Sequence, residues 1–501
     1  MPVNRLPEDI LSLIPTYLPS QKDRFWASFV CRHWRRTFLQ RAELWSQLFL
    51  SKGEGYVKTL LERTKGSTLD IVVGNWVPAG VTTLLSSRTE QIKYLFFKYS
   101  EWATIFEFSR VIYGPLPLLN TLSINADEED IWEAFDMIPP SSFLFHNAVN
   151  LKEFRFNSKS SQFMNHFAFP NLVSLSLDLS AEPSGMLHAS QLLDFLGTSP
   201  MLRSVYVKIP PDISLSDIAQ DRIVVLPNVE DFTLIANGCG PVYKIAGHTS
   251  CPSARNISFI QKGAVGVVVP EGIFPDPFLW NAIVCQHARI PAEEVTLEIK
   301  PGNITRCKLL FRSPDAAIIE LCFDVAADDE VDSPSAGTHN EVFARATRAV
   351  RDHPQLANVR RLHICHNFLS IGSAYVSLIA NDVAGLFRSV GPLDELTIYC
   401  CDLRPYLHPF LTNIPGGILA DGPLVFPPVK KLTISHPVEL TRGECMAMVE
   451  LTKSQHTLGI PFGRMEIHSE GTPVEIEEEL RLWVGSVESY YEELDDDYVP
   501  G

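Results

Sequence analysis

The sequence predicts an irregular α/β solenoid, a curved sheet of short parallel strands with helices outside, behind a short segment of three helices. Three observations predict it. A six-residue apolar pattern returns about a dozen times after residue 60. Helix-like stretches with stop signals lie between the copies. The first fifty residues carry apolar side chains at helical steps.

The strand pattern is L-x-x-L-x-L. It reads "LNTLSI" at 119–124, "LKEFRF" at 151–156, "LVSLSL" at 172–177, "LRSVYV" at 202–207, "VEDFTL" at 229–234 and "ARNISF" at 254–259. It continues with "IIELCF" at 318–323, "VRRLHI" at 359–364, "LDELTI" at 393–398, "VKKLTI" at 429–434 and "FGRMEI" at 462–467. "IKYLFF" at 92–97 is an earlier member; "LDIVV" at 69–73 and "VTLEI" at 295–299 are degenerate ones. The L-x-L core alternates with period two, so its two apolar residues face one side of a short strand. Two copies extend to eleven residues, "VRRLHICHNFL" and "LDELTIYCCDL", and fit the leucine-rich-repeat signature. Asn367, Cys401 and Asn237 fall at the corner where the chain leaves its strand and backbone groups need partners.

Helices alternate with these strands. "HASQLLDFLGTSPML" places Leu192, Leu193 and Leu196 on one face and then stops at Gly197 and Pro200. "EVFARATRAVRDHP" aligns Phe343, Ala346 and Val350; "YVSLIANDVAGLF" and "GECMAMVELTK" repeat the arrangement. The unit is therefore helix, turn, strand, and stacked units bury their apolar faces on one another. Tetratricopeptide repeats have a similar period but no strand, and are excluded. The predicted divisions are 4–50, a helical domain; 51–75, a linking helix and strand; 76–485, the solenoid; and 486–501, an acidic, disordered tail.

Composition narrows the function. With 59 acidic and 42 basic residues the net charge is −17, which disfavours nucleic acid as a partner. No apolar run is long enough to span a bilayer, so no membrane association is expected. Ten cysteines without repeated C-x-x-C spacing, and a start unlike a secretory signal, predict a reducing compartment, cytoplasm or nucleus.

The opening segment runs against the acidic balance. Pro7, Glu8 and Asp9 suit a first helical turn, and Ile10, Leu11, Ile14 and Leu18 follow at helical steps until Pro15 ends or bends the helix. A second helix from about Gln21 carries Phe25 and Phe29, with Trp26 and Val30 beside them. A third, from about His33, carries Trp34, Phe38, Ala42, Trp45 and Phe49. This is more apolar surface than so short a segment can bury alone. "LPEDILSLIPTYLP", "FVCRHWRR" and "AELW" together resemble an F-box, on Leu6, Pro7, Ile10, Leu11, Ile14, Leu18, Pro19, Val30, Cys31, Arg32, Trp34, Leu44 and Trp45. The following "YVKTLLERTKGSTLDIVV", with "TSPMLRSVYV", is similar to F-box leucine-rich-repeat proteins of mushroom-forming fungi.

That resemblance implies the substrate-recruiting subunit of an SCF-type, cullin–RING ubiquitin ligase. The F-box docks on a Skp-type adaptor, and through it on cullin and RING subunits. The repeats hold an unknown protein substrate. The F-box residues named above, Leu44 excepted, are the expected adaptor contacts, and Arg32, Arg35 and Arg36 favour an acidic partner. A repeat scaffold that never joins a ligase is the alternative.

No motif places catalytic chemistry. "HICH" brings His363 and Cys365 to one strand face, but no second cluster with ligand spacing lies near, so exposed strand residues are the reading preferred to a metal site. "GHTSC" is not a nucleophile elbow and "GCG" lacks the rest of a phosphate loop. No cofactor, metal or enzymatic activity is expected. The concave face is formed by the x of each L-x-L: Ser123, Arg155, Ser176, Tyr206, Thr233, Ser258, Cys322, His363, Thr397, Thr433 and Glu466. Arg155, Tyr206, His363 and Glu466 are its distinctive members and the candidate substrate contacts.

Overall fold

A computed structural model describes residues 7–18, 21–100, 104–105, 107–108, 115–126, 145, 147–158, 167, 169–179, 187–210, 213–214, 218, 222–237, 241–264, 294–300, 304–312, 318–326, 346–348, 350–351, 356–366, 373–400, 403, 406–407, 426–436, 439–470 and 474–491. The fold is α/β with mostly parallel strands, and the chain divides into two compact units, Met1–Val229 and Glu230–Gly501.

The first unit opens with α1 (Glu8–Tyr17), α2 (Gln21–Ala27) and α3 (Arg32–Gln40), then β1 (Gln47–Phe49), α4 (Glu54–Thr64), β2 (Leu69–Val73) and α5 (Ala79–Ser86). β3 (Ile92–Lys98), β4 (Thr121–Ala126), β5 (Glu153–Ser158), β6 (Ser174–Asp178), β7 (Ser204–Ile209) and the two-residue β8 (Val224–Val225) follow. From β1 to β7 each strand pairs in parallel with the next in chain order. The registers align Leu48, Ile71, Leu95, Leu122, Phe154, Leu175 and Val205 in one row, and all seven are buried. From Ile71 onward these belong to the predicted strand copies, and burying successive rows is what drives the strands together. Helix Ala189–Gly197 lays Leu192, Leu193 and Leu196 into this interior, as its spacing predicts.

α1 ends at Tyr17, two residues beyond Pro15, near where the sequence places its end or bend. One element of the opening differs from expectation. The third helix stops at Gln40, so Trp45 lies in a 3-10 turn (Ala42–Trp45) and Phe49 in β1. The four-residue step from Trp45 to Phe49 imitates helical periodicity, whereas pairing of Leu48 with Ile71 sets the strand.

The second unit contains β9 (Asp231–Asn237), β10 (Thr249–Ser250), β11 (Asn256–Ala264), β12 (Glu294–Lys300), β13 (Ile304–Arg312), β14 (Ile318–Ala326), β15 (Arg361–His366), β16 (Leu393–Cys400), β17 (Val429–Ser435), β18 (Arg464–Ser469) and β19 (Val487–Tyr491). β15 to β19 pair in parallel and in order. β9 pairs with β11, but β11's other neighbour is β14. β14, β13 and β12 then run antiparallel to one another, and β12 returns in parallel to β15. One repeat after another does not account for this stretch: three strands enter in reverse order, and β13 was not predicted. Its neighbours also shift a predicted row. Ser258 pairs with Glu320, and Cys322 with Ile260, two residues along. A slip of two keeps every side chain on its face, so alternation alone could not fix it.

The start of the expected acidic tail is also corrected, while its residues 492–501 lie outside the described residues. Residues 487–491 form β19 on the edge of β18, with Val487 buried opposite Met465. Gly485, just before it, marks the tightest backbone approach. Its N–H donates to the Phe462 carbonyl at 3.1 Å, and a Cβ there would lie 2.6 Å from the Gly463 oxygen. Gly485→Ala is expected to destabilise the second unit by about 1–3 kcal/mol and to loosen β19. Hydrogen exchange at Met465, whose N–H donates to Ser486, checks it; unchanged protection would contradict the clash.

Candidate functional site

The first three helices separate their apolar residues into an inside and an outside. Leu11, Phe38, Leu44 and Trp45 are buried, and Trp34 is 9% exposed with its ring centroid 5.6 Å from that of Phe38. The Trp45 indole N–H donates to the Phe38 carbonyl at 2.9 Å, closing the chain onto the end of α3. The Arg63 guanidinium of α4 lies over the Trp45 ring at 4.9 Å. This interior is what a short helical domain must secure before it can present anything.

The outside is unusually apolar. Ile10 is 48% exposed, Trp26 61% and Val30 57%; Leu13, Tyr17, Phe25 and Phe29 are exposed as well. Phe25, Trp26 and Phe29 form an aromatic cluster with centroids 4.9–6.3 Å apart, and Arg35 sits over the Phe29 ring at 4.8 Å. Arg32 and Arg36 are exposed nearby in sequence. An ion pair joins Arg41 to Glu43, whose carboxyl is held low by a backbone hydrogen bond and by Arg41.

Of the expected adaptor contacts, Pro7, Ile10, Val30 and Arg32 are exposed, Ile14, Leu18 and Cys31 are half-buried, and Leu11, Trp34 and Trp45 are interior. Leu6 and Pro19 lie outside the described residues. Leu13, Tyr17 and the aromatic cluster were not among the expected contacts. The helical steps of Phe25/Phe29 and Trp26/Val30 already carried that signal.

The strand faces opposite the interior have distinct chemistry. In the first unit one row reads Phe49, Val72, Phe96, Ser123, Arg155, Ser176, Tyr206, so Arg155 and Tyr206 stand two strands apart in register. Arg155 donates to Glu153 at 2.7 Å, and Tyr206 is exposed. In the second unit Thr296, His363, Thr397, Thr433, Glu466 and Glu488 share a row. Glu466 is not free: Lys431 reaches it at 2.9 Å, Arg464 at 2.7 Å, and Thr433 Oγ1 donates at 3.2 Å. Burial pulls the Lys431 ammonium down, but hydrogen bonds to Glu466 and Glu395 outweigh it and hold it above its ordinary range. Asn367 and Cys401 lie outside the described residues. Among the described residues no group of three or more His, Cys, Asp or Glu could hold a metal, and no helix is long and apolar enough to cross a membrane.

Asp70, beside Tyr94 on the first unit's sheet face, has its carboxyl raised by burial against the opposing pull of Lys93. A carboxyl raised in the folded state opposes folding once ionised; the penalty is absent below the unfolded value and complete above the folded one. Asp70→Asn should therefore raise the Tm at pH 7, with the gain vanishing below about pH 3.9. Melting curves at pH 3 and 7 check this, and a gain equal at both would contradict it.

Residues 3–51 match the family model described as F-box-like. No curated protein matches the chain.

Proposed function

We propose that this chain is the substrate-recruiting subunit of an SCF-type ubiquitin ligase. F-box domains as a class bind Skp-type adaptors, and the observation that carries the reading here is the outer apolar face of the F-box-like segment, from Ile10 and Leu13 to Trp26 and Val30. Exposed helical anchors on this scale suit a helix-lined partner surface, and Arg32, Arg35 and Arg36 suit an acidic one. The remainder of the chain acts as a leucine-rich-repeat solenoid of the mushroom-type F-box family and holds the substrate. Arg155, Tyr206 and His363 are the contacts on its strand faces; Glu466 serves to order the Lys431–Arg464 ladder rather than to reach a ligand. The chain itself performs no catalysis and works in the cytoplasm or nucleus.

The test is a titration of the full chain with a recombinant Skp-type adaptor. Ile10→Asp combined with Val30→Asp changes only exposed side chains, and should weaken binding at least about thirtyfold, one hot spot's worth. Wild-type affinity in that variant, or no binding by the wild-type chain, overturns the reading. Reconstituted cullin–RING assembly then reports whether the bound chain enters a ligase.

A further inference from the structure

The first unit holds a cavity of about 780 Å³ between α2, the 3-10 turn at Trp45, β1 and α4. That volume falls in the range of small-molecule sites. Its walls are Phe25, Trp45, Phe49, Tyr56 and Leu60, four of the five aromatic. Lys22, Lys52 and Arg63 stand around it, and among the described residues no acidic side chain lines it. Among the described residues none of these three cations enters an ion pair, in a chain whose net charge is −17. Burial holds the half-buried Tyr56 phenol above its ordinary range. Three uncompensated positive charges around an aromatic slot repel one another and gain from an anion placed among them, more strongly where water is excluded.

We propose that this cavity binds a small aromatic organic anion, a flat ring system bearing one sulfonate or carboxylate. The ring slots between Phe25 and the half-buried Phe49 and Tyr56. The acid group faces Lys52 and Arg63, whose guanidinium is already fixed over the Trp45 ring. Neutral aromatics lack the charge interaction, and aromatic cations meet repulsion at the rim.

Anilinonaphthalene sulfonate is a suitable probe, titrated against the full chain by fluorescence. Saturable binding of one equivalent that weakens with salt is expected, and a naphthylmethylammonium cation should not compete. Lys52→Glu with Arg63→Glu reverses the rim and should lower affinity about tenfold or more. Thr59→Trp, a substitution at an exposed lining residue, fills the slot without changing charge and should do the same. Circular dichroism confirms that each variant is folded. Unchanged affinity in both variants, competition by the cation, or no saturable binding overturns the proposal. The variants at Lys52, Arg63 and Thr59 leave Ile10 and Val30 unchanged, so failure here and failure of adaptor binding are read from different variants.

Discussion

Trp45→Ala should destabilise the first unit by about 3–5 kcal/mol, as expected for a fully buried tryptophan cut to a methyl. Trp45 is 1% exposed and ties three elements together. Its N–H caps the Phe38 carbonyl at the end of α3, its ring takes the Arg63 guanidinium of α4, and the turn that carries it leads directly into β1. Removing the ring leaves a cavity and takes one of two donors from the Phe38 carbonyl, which keeps the Arg41 N–H at 3.2 Å. Trp45→Phe keeps most of the volume and loses the hydrogen bond, so it should cost about 1 kcal/mol from that bond alone. Urea denaturation read by fluorescence separates the two. A loss below 1 kcal/mol for Trp45→Ala would mean that the helical segment does not depend on this closure. Adaptor affinity should fall with Trp45→Ala although the residue is interior, because the exposed anchors of α1 and α2 are held in place from beneath.

A loss of similar size, about 3–5 kcal/mol, is expected for Phe154→Ala in the middle of the first unit's sheet. Phe154 is 1% exposed and, among the described residues, its ring has four aromatic neighbours: Phe167 at 5.0 Å, Phe169 at 5.1 Å, Phe156 at 5.9 Å and Phe195 at 6.3 Å. Such pairs contribute about 0.5–1.5 kcal/mol each beyond the area they bury. The cluster joins β5 to helix Ala189–Gly197, so the cavity cannot be closed by moving one side chain. Phe154→Leu should recover a large part of the loss. A thermal or urea melt showing the alanine variant within 1 kcal/mol of wild type would contradict this account of the core.

These two residues show where sequence reading succeeds. Phe154 is the fourth position of an L-x-x-L-x-L copy, and the rule that such positions face inward holds along its row from Leu95 to Val205. Strand existence was legible because burial on one face imposes a period of two. What escaped was whatever does not need that period. β13 pairs antiparallel between two other strands and needs no turn toward a helix. β19 hides in a charged stretch because an edge strand needs only one covered face, which Val487 supplies. The candidate site was legible as a segment and not residue by residue. Family positions such as Leu11, Trp34 and Trp45 mark residues a helical domain needs, without saying whether the need is internal. Only the phase of each helix, settled by packing, puts Ile10 outside and Leu11 inside.

The reversed trio β14–β13–β12 has a consequence in parity. Because three strands, an odd number, are spliced between β11 and β15, the two flanks keep the same polarity; a splice of two would have inverted every strand after it. β15 can therefore continue a ladder of the same sense as β9 and β11, and strands with aligned L-x-L faces follow on to β18. The trio is a cassette whose gain or loss leaves the direction of its flanks untouched.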